Sequence, residues 1–380
     1  MKGSKNAHFI DIFRLMRPFI VAAATLLMWS CKSTKVQSSD DAVAAQAPVN
    51  IEFSADSAYA YCAAQCDFGP RTMNSEAHRR CAEWIGRMFE QFGCTVARQE
   101  AVLTGYDGTP LHAVNIIASL TPRAAAADTT TVGEASADSA SVSAGALDDT
   151  SIAAGRRPRI LLCAHWDSRP WADNDPDEAN HRRPVMAAND GASGVAVMLE
   201  LARLLHDCDS VPVDIDFVCF DAEDWGTPQW EENQAMSSET WALGARHWAR
   251  HYAEEAGTDG GYDYGILLDM VGGQGARFFR EGFSVRCAPR IVSRVWAAAK
   301  AAGYGSMFPD SEGGYVTDDH VPVNELAGIP CIDIIPYYPD CTQSNFGPTW
   351  HTVNDDMQHI DKNTLLGVGQ TLLQVIFSEE

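Results

Sequence analysis

Six short stretches of this 380-residue chain carry side chains suited to metal and proton chemistry: His165-Trp-Asp167, Asn189-Asp190-Gly191, Glu223-Asp224, Asp269, Asp318-Asp319-His320 and Trp350-His351-Thr352. Singly, each has an ordinary explanation. Asn-Asp-Gly is a common turn, a Glu-Asp pair is often a solvated cap, and a loop histidine often does nothing. Together they make a donor set. Aspartate and histidine suit Zn²⁺, and a catalytic zinc needs only three protein ligands because one position stays open. Adjacent carboxylates such as Glu223 and Asp224 can divide the work, one holding the metal while its neighbour faces the substrate as general base. In a water-poor cleft they also repel, which raises one pKa unless a cation sits between them.

These residues need a frame that brings them together. Residues 159–163, 213–220, 265–270 and 331–335 read as apolar strands, and 114–120 as another. Residues 194–206, 239–254, 290–302 and a last segment from Asn363 read as helices. A further helix is expected over 75–93, where Trp84, Ile85, Met88, Phe89 and Phe92 recur at helical spacing between an N-cap Ser75 and a stop at Gly93. The alternation predicts a single α/β domain, a mostly parallel twisted sheet with helices on both faces. Ligands bind beyond the carboxyl ends of the strands in such sheets, and the six stretches fall there.

Composition narrows the class. With 46% hydrophobic and 21% charged residues the chain is globular material. Its net charge of −23 argues against nucleic acid, which requires clustered Lys and Arg. Lys2, Lys5, Arg14 and Arg17 precede a short apolar run from Phe19 to Trp29, the pattern of a secretory signal peptide over residues 1–30. Cys31 follows directly, as in a bacterial lipoprotein signal, so the expectation is a lipidated Cys31 and a place in the cell envelope or periplasm, with membrane contact only through that anchor. Residues 31–50 read as a flexible tether. The catalytic domain is expected over 51–380, with a disordered insert at about 121–157 built from Ala, Ser, Thr, Asp and Gly. Export permits disulfides; Cys62 and Cys66 are close enough to pair, and Cys81 and Cys94 flank one expected helix. Cys163, Cys219 and Cys331 sit in apolar runs as small hydrophobes.

In combination these motifs resemble the M28 zinc aminopeptidase superfamily. The stretches Trp241-Ala-Leu-Gly-Ala-Arg-His247, Thr317-Asp-Asp-His-Val-Pro322 and Gly328-Ile-Pro-Cys-Ile-Asp-Ile-Ile-Pro336 are similar to its glutaminyl cyclase branch, in a bacterial form close to the animal enzymes. The resemblance implies one zinc per chain, held by Asp190, Asp224 and His351, with Glu223 as acid/base assisted by Asp269 and Asp318. It implies cyclisation of N-terminal glutamine in peptides or proteins, with Trp350 and Trp230 as pocket walls. Asp269 and Asp318 are expected to share a proton across a short hydrogen bond. Two departures stand out: Asp224 replaces the glutamate of the animal enzymes, and Asp333 replaces a histidine whose role is not carried over. The rival is a two-zinc aminopeptidase, in which His165 and Asp269 complete a second site, Asp190 bridges and Glu223 activates water. Every ligand it needs is present, so the ligands leave both readings open, while the downstream loops favour the cyclase. A non-enzymatic binding lipoprotein on this fold would be expected to lack a ligand or the base, and none is missing.

Overall fold

The computed structural model describes residues 49–120, 157–231, 238–255 and 261–379. The leader, Cys31, the tether up to residue 48 and nearly all of the expected insert lie outside the described residues. Six strands form one sheet in the order β1 (Thr95–Thr104), β2 (Pro110–Leu120), β4 (Asp214–Phe220), β3 (Arg159–His165), β5 (Tyr264–Leu268), β6 (Cys331–Ile334). Strand β3 pairs in parallel with β4 and β5, and β5 pairs in parallel with β6. The β1–β2 hairpin joins antiparallel through β2 and β4, so the sheet is mixed. The sequence reading missed β1 because no residue of that edge strand is buried, which leaves no hydrophobic alternation to detect.

The parallel strands are apolar on both faces because both are covered. Ile160, Leu162 and Ala164 of β3 join Ile215, Phe217 and Cys219 of β4 in one core; Leu161, Cys163, Val218 and Phe220 point the other way into a second. The larger core is closed by α1 (Ala55–Cys66), α2 (Glu76–Gln91), α3 (Ala192–His206), α6 (Pro289–Ala301) and α8 (Lys362–Ile376), the smaller by α4 (Leu243–Glu255) and α7 (His320–Glu325). A short α5 (Gly282–Cys287) packs beside β6.

Helix α2 starts as expected, with Ser75 Oγ accepting from the His78 N–H at 3.0 Å. Helix α4 starts later than expected, at Leu243, because Ala242 is left-handed with φ 55°. Helix α1 had no apolar stripe to reveal it and is held by docking: Gln65 Nε2 donates to Ala192 O at 2.9 Å, and Cys62 Sγ to Ala188 O at 3.0 Å. Cys62 and Cys66 lie on successive turns of α1 as free thiols, like every other cysteine among the described residues. No helix among the described residues is long and apolar enough to cross a membrane.

Helix α3 begins hard against the sheet. A Cβ on Gly194 would stand 2.2 Å from Leu268 O and 2.8 Å from Ala164 Cβ, so only glycine lets the first turn reach the ends of β3 and β5. Gly194→Ala is therefore expected to cost about 1–3 kcal/mol of stability by overpacking, seen as a lower Tm; an unchanged Tm would show that this seat is not tight.

Candidate active site

The carboxyl ends of the parallel strands deliver the reactive residues. His165 is the last residue of β3, and a Cβ on Gly191 would lie 2.4 Å from His165 O, so a glycine is required for the Asn189–Gly191 turn to pass. Asp355 fixes that turn: its two carboxylate oxygens accept the N–H groups of Asn189 at 2.7 Å and Asp190 at 3.1 Å. Asp167 does the same beyond β4, accepting from Glu223 N at 3.1 Å and Asp224 N at 3.2 Å. Ala222, Met270 and His351 are left-handed, with φ of 52°, 50° and 53°. Such conformations cost energy for residues with a Cβ and gather where a site over-determines the backbone; here they flank Glu223, Asp269 and the His351 ring.

Asp190, Asp224 and His351 bring three ligand atoms within 4.8 Å of one another, all buried. His351 Nε2 lies 3.3 Å from Asp224 Oδ1 and 3.6 Å from Asp190 Oδ2. Ligands about 2.0–2.2 Å from a tetrahedral zinc stand roughly 3.3–3.6 Å apart, so the spacing suits an ion shared by these atoms. Asp224 Oδ2 is also buried without a hydrogen-bond partner. The residues fit zinc. Behind them Arg169 grips Asp173 with two bonds of 2.7 Å and reaches Asp224 Oδ1 at 3.1 Å, while Asp173 Oδ1 faces His351 Nδ1 at 3.5 Å. Burial would raise the Asp173 carboxyl, but the Arg169 fork and His351 outweigh it and hold it low.

The second potential ligand set, His165, Asp190 and Asp269, also clusters within 4.8 Å. Its spacing differs: His165 Nε2 and Asp190 Oδ1 are 2.9 Å apart, a hydrogen bond, with Asp269 Oδ1 at 3.3 Å. Burial and the charge of Asp318 push the Asp269 carboxyl up to about 7, against the pull of His165. Asp318 Oδ1 accepts from the Asp319 N–H as the chain turns into α7, while Asp318 Oδ2 and Asp269 Oδ1 are both buried without a donor, and His165 Nε2 lies near Asp269 as well. Burial, reinforced by Asp224, Asp318 and Asp319, raises Glu223 well above the ordinary carboxylate range, although His165 opposes it.

A cavity of about 280 Å³ opens onto these groups, lined by Asp190, Glu223, Asp269, Trp241, Trp350 and Phe346 among others. Trp350 stacks on His351 with ring centroids 3.7 Å apart, and Trp241 lies parallel to the same imidazole at 6.0 Å. Trp230 does not line this cavity, a correction to the sequence reading. It packs instead against Trp171 and His181, with the Arg182 guanidinium 4.0 Å from its ring centre.

Residues 152–376 match the Peptidase family M28 model. The chain belongs to that family. An M28 chain of this kind is similar to the crystal structure of Bacteroides thetaiotaomicron glutaminyl cyclase bound to N-acetylhistamine, with a TM-score of 0.74 and 45% identity over 87% of this chain and 99% of that one. It is 26% identical over 247 residues to the glutaminyl-peptide cyclotransferase of Bos taurus, across 58% of this chain. It is 29% identical over 224 residues to aminopeptidase YwaD of Bacillus subtilis (strain 168), across 57% of this chain. The M28 chain spans 62% of the bovine protein and 40% of the Bacillus one.

Sequence reasoning overlooked three members of this M28 site. Trp241 stood inside a quoted stretch, but nothing in its spacing aimed it at the His351 ring. Arg169 and Asp173 lie in the loop after β3 and carried no signal, since their work is to hold other residues. Partners of this kind typically govern metal affinity. Asp173→Asn should weaken zinc binding about 10–100-fold, measured by competition with a chelator; unchanged affinity would show that Asp173 does not orient His351.

Proposed function

We propose that this chain is a zinc-dependent glutaminyl-peptide cyclotransferase, converting the N-terminal glutamine of peptides and proteins to pyroglutamate with release of ammonia. The observation that carries this reading is the split between the two ligand clusters. Asp190, Asp224 and His351 are spaced for an ion, whereas His165 and Asp190 are bonded to each other. That spacing supports a single zinc at the catalytic centre. The 45% identity to a bacterial glutaminyl cyclase over nearly the whole of that chain supports the same assignment.

Asp190, Asp224 and His351 would hold the zinc, which would supply a Lewis acid for the side-chain amide carbonyl. Glu223 provides the proton transfer: it takes a proton from the substrate's neutral α-amine as nitrogen bonds to carbon, and gives it to the departing amide nitrogen, which leaves as ammonia. Its raised pKa suits both halves of that cycle. Asp269 and Asp318 supply the polar wall beside it. Trp350, Trp241 and Phe346 shape a cavity sized for one residue, so the substrate folds with its amine near its own amide. Because the nucleophile belongs to the substrate, no activated water is needed.

The aminopeptidase reading has one observation in its favour, the approach of His165, Asp190 and Asp269. Substrate choice separates the two. A Gln-initiated peptide should lose one ammonia by mass spectrometry, and a Leu-initiated peptide should come back intact; release of free leucine would overturn the cyclase. Glu223→Gln should cut turnover by about 10²–10⁴-fold while zinc stays bound, and loss of zinc would mean that the roles of Glu223 and Asp224 are reversed.

The basic residues, the short apolar run and Cys31 at its end support export to the cell envelope with a lipid anchor on Cys31. Cys31→Ala is then expected to move the protein from the membrane to the soluble envelope fraction. Unaltered fractionation, with no lipid mass on the parent, would reject the anchor.

A further inference from the structure

The buried face of α2 carries one polar side chain, His78, beside Cys81, Ala82, Ile85 and Phe89. It does not line the catalytic cavity; it borders a separate one of about 680 Å³ between α2 and the β1–β2 hairpin. An imidazole in an apolar face costs free energy unless its ring finds partners, and this one has two.

The first is Asp221, the residue after β4. His78 Nε2 bridges its carboxylate, 2.9 Å from Oδ1 and 3.0 Å from Oδ2. The same two oxygens accept backbone N–H groups, Oδ2 from Val114 at 2.7 Å and Oδ1 from Ala222 at 2.9 Å. Ala222 is the left-handed residue immediately before Glu223. A residue with a Cβ keeps φ 52° only where its surroundings fix it, and the bond from its N–H to Asp221 is part of that fixing. The second partner is Trp166, whose ring stacks on the imidazole with centroids 4.4 Å apart and planes 22° from parallel. Trp166 Nε1 donates to Val114 O at 3.3 Å, and the next residue, Asp167, holds the N–H groups of Glu223 and Asp224. Both routes from His78 therefore end at the backbone of Glu223. Asp224 has an anchor of its own, because Arg169 Nη1 donates to its carbonyl and to its Oδ1, each at 3.1 Å.

We propose that His78 is a positioning residue for Glu223, acting through Asp221 and Trp166 to hold the turn at Ala222 that aims the Glu223 carboxylate into the cavity. The inference rests on Glu223 being the acid/base of the reading above. A base must lie within hydrogen-bond reach of the proton it moves, and a misplacement of about 1 Å caused by a distant change can cost on the order of 100-fold in rate. Removing His78 leaves the buried Asp221 carboxylate one donor short. The Ala222 turn then relaxes and carries Glu223 off its line, while Arg169 keeps Asp224 in place for the metal.

The test compares His78→Leu, which fills the site without a donor, with His78→Gln, whose carboxamide N–H reaches the place of Nε2. Zinc content, Tm, kcat and KM are measured on the full chain with a Gln-initiated peptide. His78→Leu should lose on the order of 100-fold in kcat while KM and zinc content stay at wild-type values, as expected when only the transition state loses an interaction. His78→Gln should recover most of that loss. A general loosening of the fold would lower Tm in both variants alike and would not separate kcat from KM. An unchanged kcat in His78→Leu, a loss of zinc from it, or a His78→Gln no better than His78→Leu overturns the proposal. Should His78→Leu fail to fold, His78→Asn takes its place, since its shorter side chain puts no donor on Asp221; equal kcat in the Asn and Gln variants is then the overturning result. Wild type tests the underlying reading by itself, because release of leucine from a Leu-initiated peptide overturns the cyclase. The same ratios are then read on leucine release, where Glu223 is again the base, so the role of His78 is decided either way.

Discussion

Arg169 has almost no solvent exposure, and its guanidinium is shared among the loops that carry the metal ligands. It holds the Asp173 carboxylate with two parallel bonds and bonds Asp224 through both its side chain and its carbonyl oxygen, with Gly226 O beyond. Trp241 lies against it, 4.7 Å from the ring centre, and against His351 on the other side. One buried cation therefore sets Asp224 directly and His351 through both Asp173 and Trp241. A bidentate guanidinium is suited to this because its donors are planar and its charge is permanent. Removing one partner from such a group leaves a buried charge uncompensated, at a cost of about 3–5 kcal/mol.

The rest of the site is a problem of negative charge. Asp167, Asp190, Glu223, Asp224, Asp269, Asp318 and Asp319 are all buried around one cavity and its margin. Backbone N–H groups satisfy some of them: Asp167 takes two, and Asp355 takes two more behind Asp190. For others burial wins and the carboxyl rises, as at Glu223 and Asp269. Pushing neighbouring carboxyls apart in pKa in this way assigns them different tasks. Asp190 is bonded to His165 as well, at 2.9 Å.

The chain's own sequence determined the α/β class, the parallel strands β3, β4, β5 and β6, and the reactive residues at their carboxyl ends. Those features rest on local physics. Apolar runs of strand length, helical spacing in α2 and a serine N-cap are properties of neighbours in the chain, and ligand chemistry belongs to residue type. Tertiary structure alone decided what those residues do to one another. Edge strand β1 has no fully buried residue and helix α1 has no stripe, so each is defined by what it packs against. The Asp269 side chain came to lie beside His165, and Trp230 packed outside the cavity while Trp241 entered it. Arg169 reached Asp224 across 55 residues of sequence, and Asp190 met His351 from different loops. Such pairings depend on crossovers and on left-handed turns at Ala222, Met270 and His351. No periodicity records them, because the contacting residues share no local pattern.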